Sequence, residues 1–231
     1  ALVLGVSGYR LWRLLVSTAR FVMQHRRIVR AGRLWRRCPV GGRSVEVLIT
    51  SSTAENSAMP SVPYTAGLLR PYVCFPTRAF EAMTDHEREA VLQHELAHVA
   101  HHHLAIRGVV ELLASVFWFV PGIRFLACKV ADDCEFAADD EATRKVEQIA
   151  LASALVTIGG LLQVQADGPR TGYAIFAGES KPRLVSRVER LIAPAPAANN
   201  RQSRWGAPLW RLLLFLVTAQ SILTMVVGNN A

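Results

Sequence analysis

The chain has 231 residues, 51% of them hydrophobic and 19% charged, with a formal net charge of +8 and a mean hydropathy of +0.23. That balance excludes a disordered or low-complexity protein, and the length accommodates one globular core with residues left over. The apolar excess points to lipid contact for the remainder, which counts against a simple soluble enzyme.

Charge is unevenly placed along the chain. Residues 1–43 hold ten arginines and no acid, whereas from residue 44 onward 16 basic groups face 18 acidic ones. A nucleic-acid binder keeps its basic face on the folded domain. Here the arginines follow the uncharged stretch 1–9 directly, so no nucleic-acid partner is expected and membrane topology explains the pattern better. Basic residues next to a membrane helix stay on the cytoplasmic side, where anionic lipid also attracts them. Residues 1–37 therefore read as the end of a longer transmembrane helix running into an Arg-rich helix, with Leu11, Leu14, Leu15, Ala19 and Val22 at helical spacing. Gly41 and Gly42 end it.

Ser44–Ser51 is rich in β-branched residues and reads as a strand, followed by a loop containing Pro60, Pro63 and Gly67. Tyr72–Phe75 is a second short strand, and Pro71 and Pro76 on either side favour a sheet edge. Thr84, with Glu87 three residues on, has the pattern of a capping box that opens a helix running through His103. Further helices are expected at 105–118, 123–147, 149–164 and 182–193, with Pro121 and Gly122 as an interruption. The apolar stretches Leu112–Ile123 and Ile149–Val164 are too short for a comfortable membrane span and suit core or interfacial helices. Residues 194–207 read as a linker and 208–228 as a transmembrane helix. Arg201, Arg204 and Arg211 precede most of that apolar run and no charge follows it, so both ends of the chain agree on one orientation. Cys38, Cys74, Cys128 and Cys134 form no CxxC and read as free thiols in a reducing compartment. The expected architecture is mainly α with a small β-sheet, a cytoplasmic domain at 44–193 between membrane segments.

The chemistry lies in His94-Glu95-Leu96-Ala97-His98, an HExxH inside the capped helix. Residues four apart share a helix face, so both imidazoles can reach one zinc at about 2.0–2.1 Å. Glu95, offset by about 100°, stays off the metal but near a water bound to it. A catalytic zinc takes three protein ligands and keeps one position open. His101, His102 and His103 are nearby but lack the HExxHxxGxxH spacing, and read as a polar helix end with a supporting role for one of them. Glu135 is the better third ligand. Asp139, four residues on, faces the same way and can accept a hydrogen bond from a ligand histidine, although a solvated acidic helix start would also account for the segment Asp132–Asp140.

HELAH at 94–98, WFVP at 118–121 and DDCEFAADDEA at 132–142 together resemble the bacterial integral-membrane zinc metallopeptidases of the beta-lactam-sensor (BlaR/MecR) type, which are gluzincins. YTAGLLRPYVCFP at 64–76 is similar to that family's strand segment. KPRLVSRVERL at 181–191 resembles an element shared with the related HtpX-type membrane proteases. The chain departs from the pattern at Val120, Ala138 and Lys181, none of which is a ligand. His103 stands where sensor-type members often have Asp and several HtpX-type relatives have His. No sensor domain follows residue 228, so beta-lactam sensing is not expected of these residues.

The resemblance implies a minimal gluzincin fold flanked by transmembrane helices in a bacterial cell membrane, multi-pass, with the catalytic domain on the cytoplasmic side. It implies one Zn2+ per chain on His94, His98 and Glu135, Glu95 as general base, and Asp139 behind a ligand. Arg187 is a candidate transition-state stabiliser, or else part of a structural ion pair. The expected substrate is a protein or peptide, such as a transcriptional repressor or the chain itself, cut in regulated proteolysis. Two other readings are an HtpX-like quality-control protease and a non-enzymatic signalling protein whose zinc is closed by a fourth ligand from His101–His103.

Overall fold

The structure, a computed structural model, describes residues 2–50, 61–165 and 181–193. The chain begins with α1 (Leu2–Ala31), then β1 (Arg33–Val40), β2 (Arg43–Thr50), β3 (Tyr64–Ala66) and β4 (Tyr72–Pro76). Helices follow: α2 (Thr77–Ala82), α3 (Asp85–Ala100), α4 (His103–Val116), α5 (Ile123–Ala142), α6 (Gln148–Gln165) and α7 (Lys181–Ile192). The mainly helical class with one small sheet is as expected.

The strands lie in the order β1-β2-β4-β3, with β2 and β4 parallel and the other two pairs antiparallel. Gly41 and Gly42 form the turn between β1 and β2 at φ +53° and +76°. Two consecutive left-handed residues match the twist of a tight hairpin, and glycine adopts them without a Cβ clash. The glycines thus make a hairpin rather than ending a helix. Arg33–Arg37, expected to be the tail of the Arg-rich helix, belongs to a strand because β1 pairs with β2 and turns Trp35 and Cys38 onto the core while its other residues stay largely exposed. Trp35 meets the rings of Phe75 and Phe80 edge-on at 5.5 and 5.0 Å, while Arg37 pairs with Glu46 and Arg36 with Glu89. The sheet therefore starts before residue 44.

β4 is interior, not the edge expected for Tyr72–Phe75. Its prolines stand before the strand and at its last residue, so neither removes a donor from the middle. Val73, Cys74 and Phe75 are fully buried, as a strand covered on both faces requires. The edges are β1 and β3, and β3 comes from a region that reads as loop. Gly67 at φ +87° makes the return from β3 possible, since a Cβ there would lie 2.3 Å from the Arg70 carbonyl oxygen.

The capping box forms as expected. The Thr84 hydroxyl accepts from the Glu87 N–H, and the Glu87 carboxylate accepts from the Thr84 N–H at 2.8 Å. Ser153 of α6 donates to the other Glu87 oxygen at 2.6 Å, so the cap also ties α3 to α6. α3 packs Leu92 and Leu96 into a core shared with Val47 and Phe75 of the sheet and Leu151 and Leu155 of α6. The stretch 149–164 is thus the core helix expected, whereas 112–123 is split by the turn at 117–122. Helix α3 stops at Ala100 instead of running through His103, because His102 is left-handed at φ +54° and restarts the chain as α4.

No described helix is long and apolar enough to cross a membrane. Arg10, Arg13 and Arg20 punctuate α1, so a membrane span there, expected from the sequence, finds no support in this helix. The linker 194–207 and the apolar segment 208–228 lie outside the described residues. All four cysteines are free.

Burial alone would raise the Glu87 carboxyl, but the hydroxyl of Ser153, the amide and hydroxyl of Thr84 and the hydroxyl of Thr157 outweigh it and hold the group below the ordinary value. A depressed folded pKa means a contribution that is complete above the unfolded value of about 4.3 and lost as pH falls through the folded one. Glu87→Ala should cost about 2 kcal/mol at pH 7, a Tm lower by about 4–8 °C. The gap from wild type should narrow below about pH 4, which thermal melts across pH would check.

Candidate metal centre

α3 carries His94 and His98 one turn apart and packs against α5, with His94 buried and His98 partly buried. Their Nε2 atoms lie 3.1 Å from each other. Glu135 Oε2, from α5, lies 3.4 Å from the first and 3.7 Å from the second. These are the three groups among the described residues placed to hold a metal ion. Ligand bonds of about 2.0–2.1 Å in a tetrahedron put ligand atoms about 3.3–3.4 Å apart, so the triangle fits zinc in both size and donor chemistry.

The ligand-type atoms are held from behind. His94 Nδ1 donates to Asp139 Oδ1 at 2.9 Å, which leaves Nε2 facing the triangle. Asp139 is 1% exposed and is gripped by Arg187 of α7, Nε to Oδ2 at 2.9 Å and Nη2 to Oδ1 at 2.7 Å. Arg187 Nη1 also reaches Glu135 Oε2 at 3.2 Å. Burial would raise the Asp139 carboxyl, yet Arg187 and His94 overcome it and bring it down to about 2. Glu135 is likewise held well below the usual range, against its burial, by His98, His94 and Arg187. Both carboxylates are therefore ionised at neutral pH, as metal coordination requires. Arg183, Arg187 and Arg190 lie along one face of α7 and meet Asp132, Asp139 and Asp140 of α5.

His103, at the start of α4, is 1% exposed and its Nδ1 lies 2.8 Å from His98 Nδ1. Burial and the neighbouring imidazoles push its pKa down to about 3. A fourth protein ligand would have to face Nε2 of His98. His103 faces the opposite nitrogen, so it is not placed as that fourth ligand.

Glu95 points to the edge strand. Thr65 of β3 donates its hydroxyl to Glu95 Oε2 at 2.7 Å and contacts the Glu95 carbonyl oxygen at 3.1 Å. A cleft of about 710 Å³ opens here, lined by His94, Glu95, His98 and Glu135 and by Leu14 and Leu15 of α1. Arg107 of α4 lines the same cleft and reaches Glu135 Oε1 at 3.4 Å.

The structure brings the six site residues expected from the sequence together: His94, His98 and Glu135 form the triangle, Glu95 lines the cleft, and Asp139 and Arg187 adjoin His94. Arg187 pairs with Asp139 and Glu135, its Nη2 lies 3.4 Å from His94 Nε2, and it also lines the cleft. Thr65, His103 and Arg107 complete the surroundings. Thr65 lies in the segment 64–76 that resembles the family's strand but is not singled out by it, no motif marks Arg107, and the reversal at His102 that delivers His103 is a conformation a His-His-His run does not announce.

Two imidazole nitrogens and one carboxylate oxygen at ligand distances, beside a glutamate in an open cleft, define a metal-dependent hydrolase centre. The sequence matches the BlaR1 peptidase M56 family over residues 6–185, and the chain belongs to that family. Its members are zinc metalloproteases, which act on proteins or peptides. The matched region begins within α1 and takes in the β1-β2 hairpin. No curated protein matches the chain.

Proposed function

We propose that the chain is a membrane-anchored zinc metalloendopeptidase, using one zinc per chain on His94, His98 and Glu135, that acts in regulated proteolysis of a cytoplasmic regulator or of itself. The observation that carries this reading is the 3.1 to 3.7 Å triangle of ligand-type atoms next to Glu95 in the cleft. The arginines of residues 1–43 and the apolar segment 208–228 support a place at the cytoplasmic face of a bacterial membrane. The catalytic domain is taken as the sheet and helices through residue 193, joined by the linker 194–207 to the last apolar segment.

Zinc in this site supplies Lewis acidity to the attacking water and to the scissile carbonyl. Glu95 accepts the proton of the water and passes it to the leaving amine, the two-way part of a positioned general base. The Thr65 hydroxyl fixes which Glu95 oxygen is free for this. Asp139 fixes the His94 tautomer, and Arg187 fixes Asp139. A substrate strand adds by backbone pairing to β3, which runs past Glu95 and so brings a peptide bond to the site.

The test is zinc content together with cleavage of a denatured model protein by the detergent-purified full chain. Wild type should hold about one zinc and cleave, and Glu135→Ala should lose zinc on dialysis and lose cleavage with it. Zinc retained in full by Glu135→Ala would remove Glu135 from the ligand set. Cleavage of many unrelated proteins would favour a quality-control role over regulated proteolysis.

A further inference from the structure

The two metal-site histidines are supported in chemically different ways. Behind His94 stands a carboxylate, Asp139, itself locked by Arg187. Behind His98 stands another imidazole, His103, at 2.8 Å between the two Nδ1 atoms. We propose that His103 is a positioning residue for the metal centre, a neutral hydrogen-bond acceptor that holds His98 in its Nδ1–H tautomer and so keeps Nε2 free for zinc. This rests on the His94, His98 and Glu135 ligand set proposed above.

The tautomer follows from geometry. His98 Nε2 faces His94 Nε2 and Glu135 Oε2, so its lone pair must point there for a metal to bind, and the single proton of the neutral ring then sits on Nδ1. At 2.8 Å one of the two facing nitrogens must donate and the other accept. The donor is then His98, and His103 presents the lone pair of its own Nδ1. Burial of His103 and the ring of His101 stacked 5.6 Å away restrict it to that orientation. The chain delivers it there through left-handed His102 and the start of α4, so the loop conformation and the support of His98 are one feature.

An acceptor without charge has a consequence. A carboxylate behind a ligand histidine makes it more basic and binds the metal more tightly, whereas a neutral imidazole orients without adding negative charge. The centre is therefore asymmetric, with His94 strongly held and His98 oriented only.

The experiment is zinc affinity of the purified full chain by chelator competition, comparing wild type with His103→Asn and His103→Leu. Asn places its amide oxygen where the His Nδ1 stands and keeps an acceptor. Leu fills similar space with none. Leu should weaken zinc binding about 10–100-fold, and Asn should stay within a few-fold of wild type. Equal affinity for Leu and wild type, or Asn as weak as Leu, would overturn the proposal. Independently of folding in the variants, two-bond proton–nitrogen correlation spectra of zinc-loaded wild type should show His98 protonated at Nδ1. A His98 protonated at Nε2 would overturn it as well. If wild type binds no zinc at all, it is the underlying ligand set that fails, and the two failures are thereby distinct.

Discussion

Glu95→Gln should lower kcat for peptide hydrolysis about 10²–10⁴-fold and leave zinc content unchanged. Glutamine has the same shape, and its amide oxygen can still accept from the Thr65 hydroxyl that now holds Glu95 Oε2 at 2.7 Å. α3 keeps its packing, because the carboxylate is attached to a helix already fixed by its cap and by Leu92 and Leu96 in the core. What disappears is the ability to take a proton from water and return it to the leaving amine. Single-turnover cleavage with parallel zinc analysis would separate this from a ligand effect. Should Glu95→Gln cleave at the wild-type rate, another base does the work. If its zinc is lost as well, Glu95 acts on the metal and the division of labour with Glu135 is wrong.

The centre was legible where one local rule decides the geometry. His94 and His98 are four apart on a helix whose start, Thr84 and Glu87, is written in the sequence, so their shared face follows from helical pitch alone. Glu135 and Asp139 follow by the same spacing on α5. Contacts between elements were not legible. Thr65 reaches Glu95 only because β3 pairs at the sheet edge, and three residues between prolines and Gly67 carry no strand pattern of their own. β1 was hidden by its arginines, which look like a membrane-facing helix until Glu46 and Glu89 are seen to pair with them. The prolines around Tyr72–Phe75 suggested an edge, but a proline weakens a strand only where its missing N–H would have been used, and here both prolines fall at the ends. A supporting role for one of His101–His103 was legible but not which one, since one left-handed residue turns a continuous helix into two. Arg187 showed the same limit: the sequence offered it as a cation for the cleft or as half of an ion pair, and only the packing of α7 on α5 commits it to Asp139.

That commitment carries the second large effect. Arg187→Met should destabilise the fold by about 3–5 kcal/mol, the cost of leaving a buried charge without its partner. Arg187 and Asp139 are 3% and 1% exposed, so water cannot take over the role, and methionine fills much of the space without replacing any of the donors. His94 still faces Asp139 at 2.9 Å, but a single imidazole N–H replaces the two-pronged grip of the guanidinium. The Asp139 carboxyl, now brought down to about 2, should rise in the variant. Because the native value is depressed, its contribution in wild type is complete above the unfolded pKa of about 3.9 and lost only as pH falls through about 2. The loss in Arg187→Met should accordingly be largest at neutral pH and shrink toward strong acid. Asp139→Asn alone leaves Arg187 with Glu135 as its remaining carboxylate partner, and the double variant should cost less than the sum of the two single ones, with a coupling of about 1–3 kcal/mol. Urea unfolding of the four proteins measures it. Zinc affinity should fall about 10–100-fold in Arg187→Met, since an Asp139 no longer held from α7 orients His94 loosely. Strict additivity of the two substitutions would show that the pair stabilises nothing as a pair, and zinc affinity unchanged in Arg187→Met would show that the metal centre does not depend on α7.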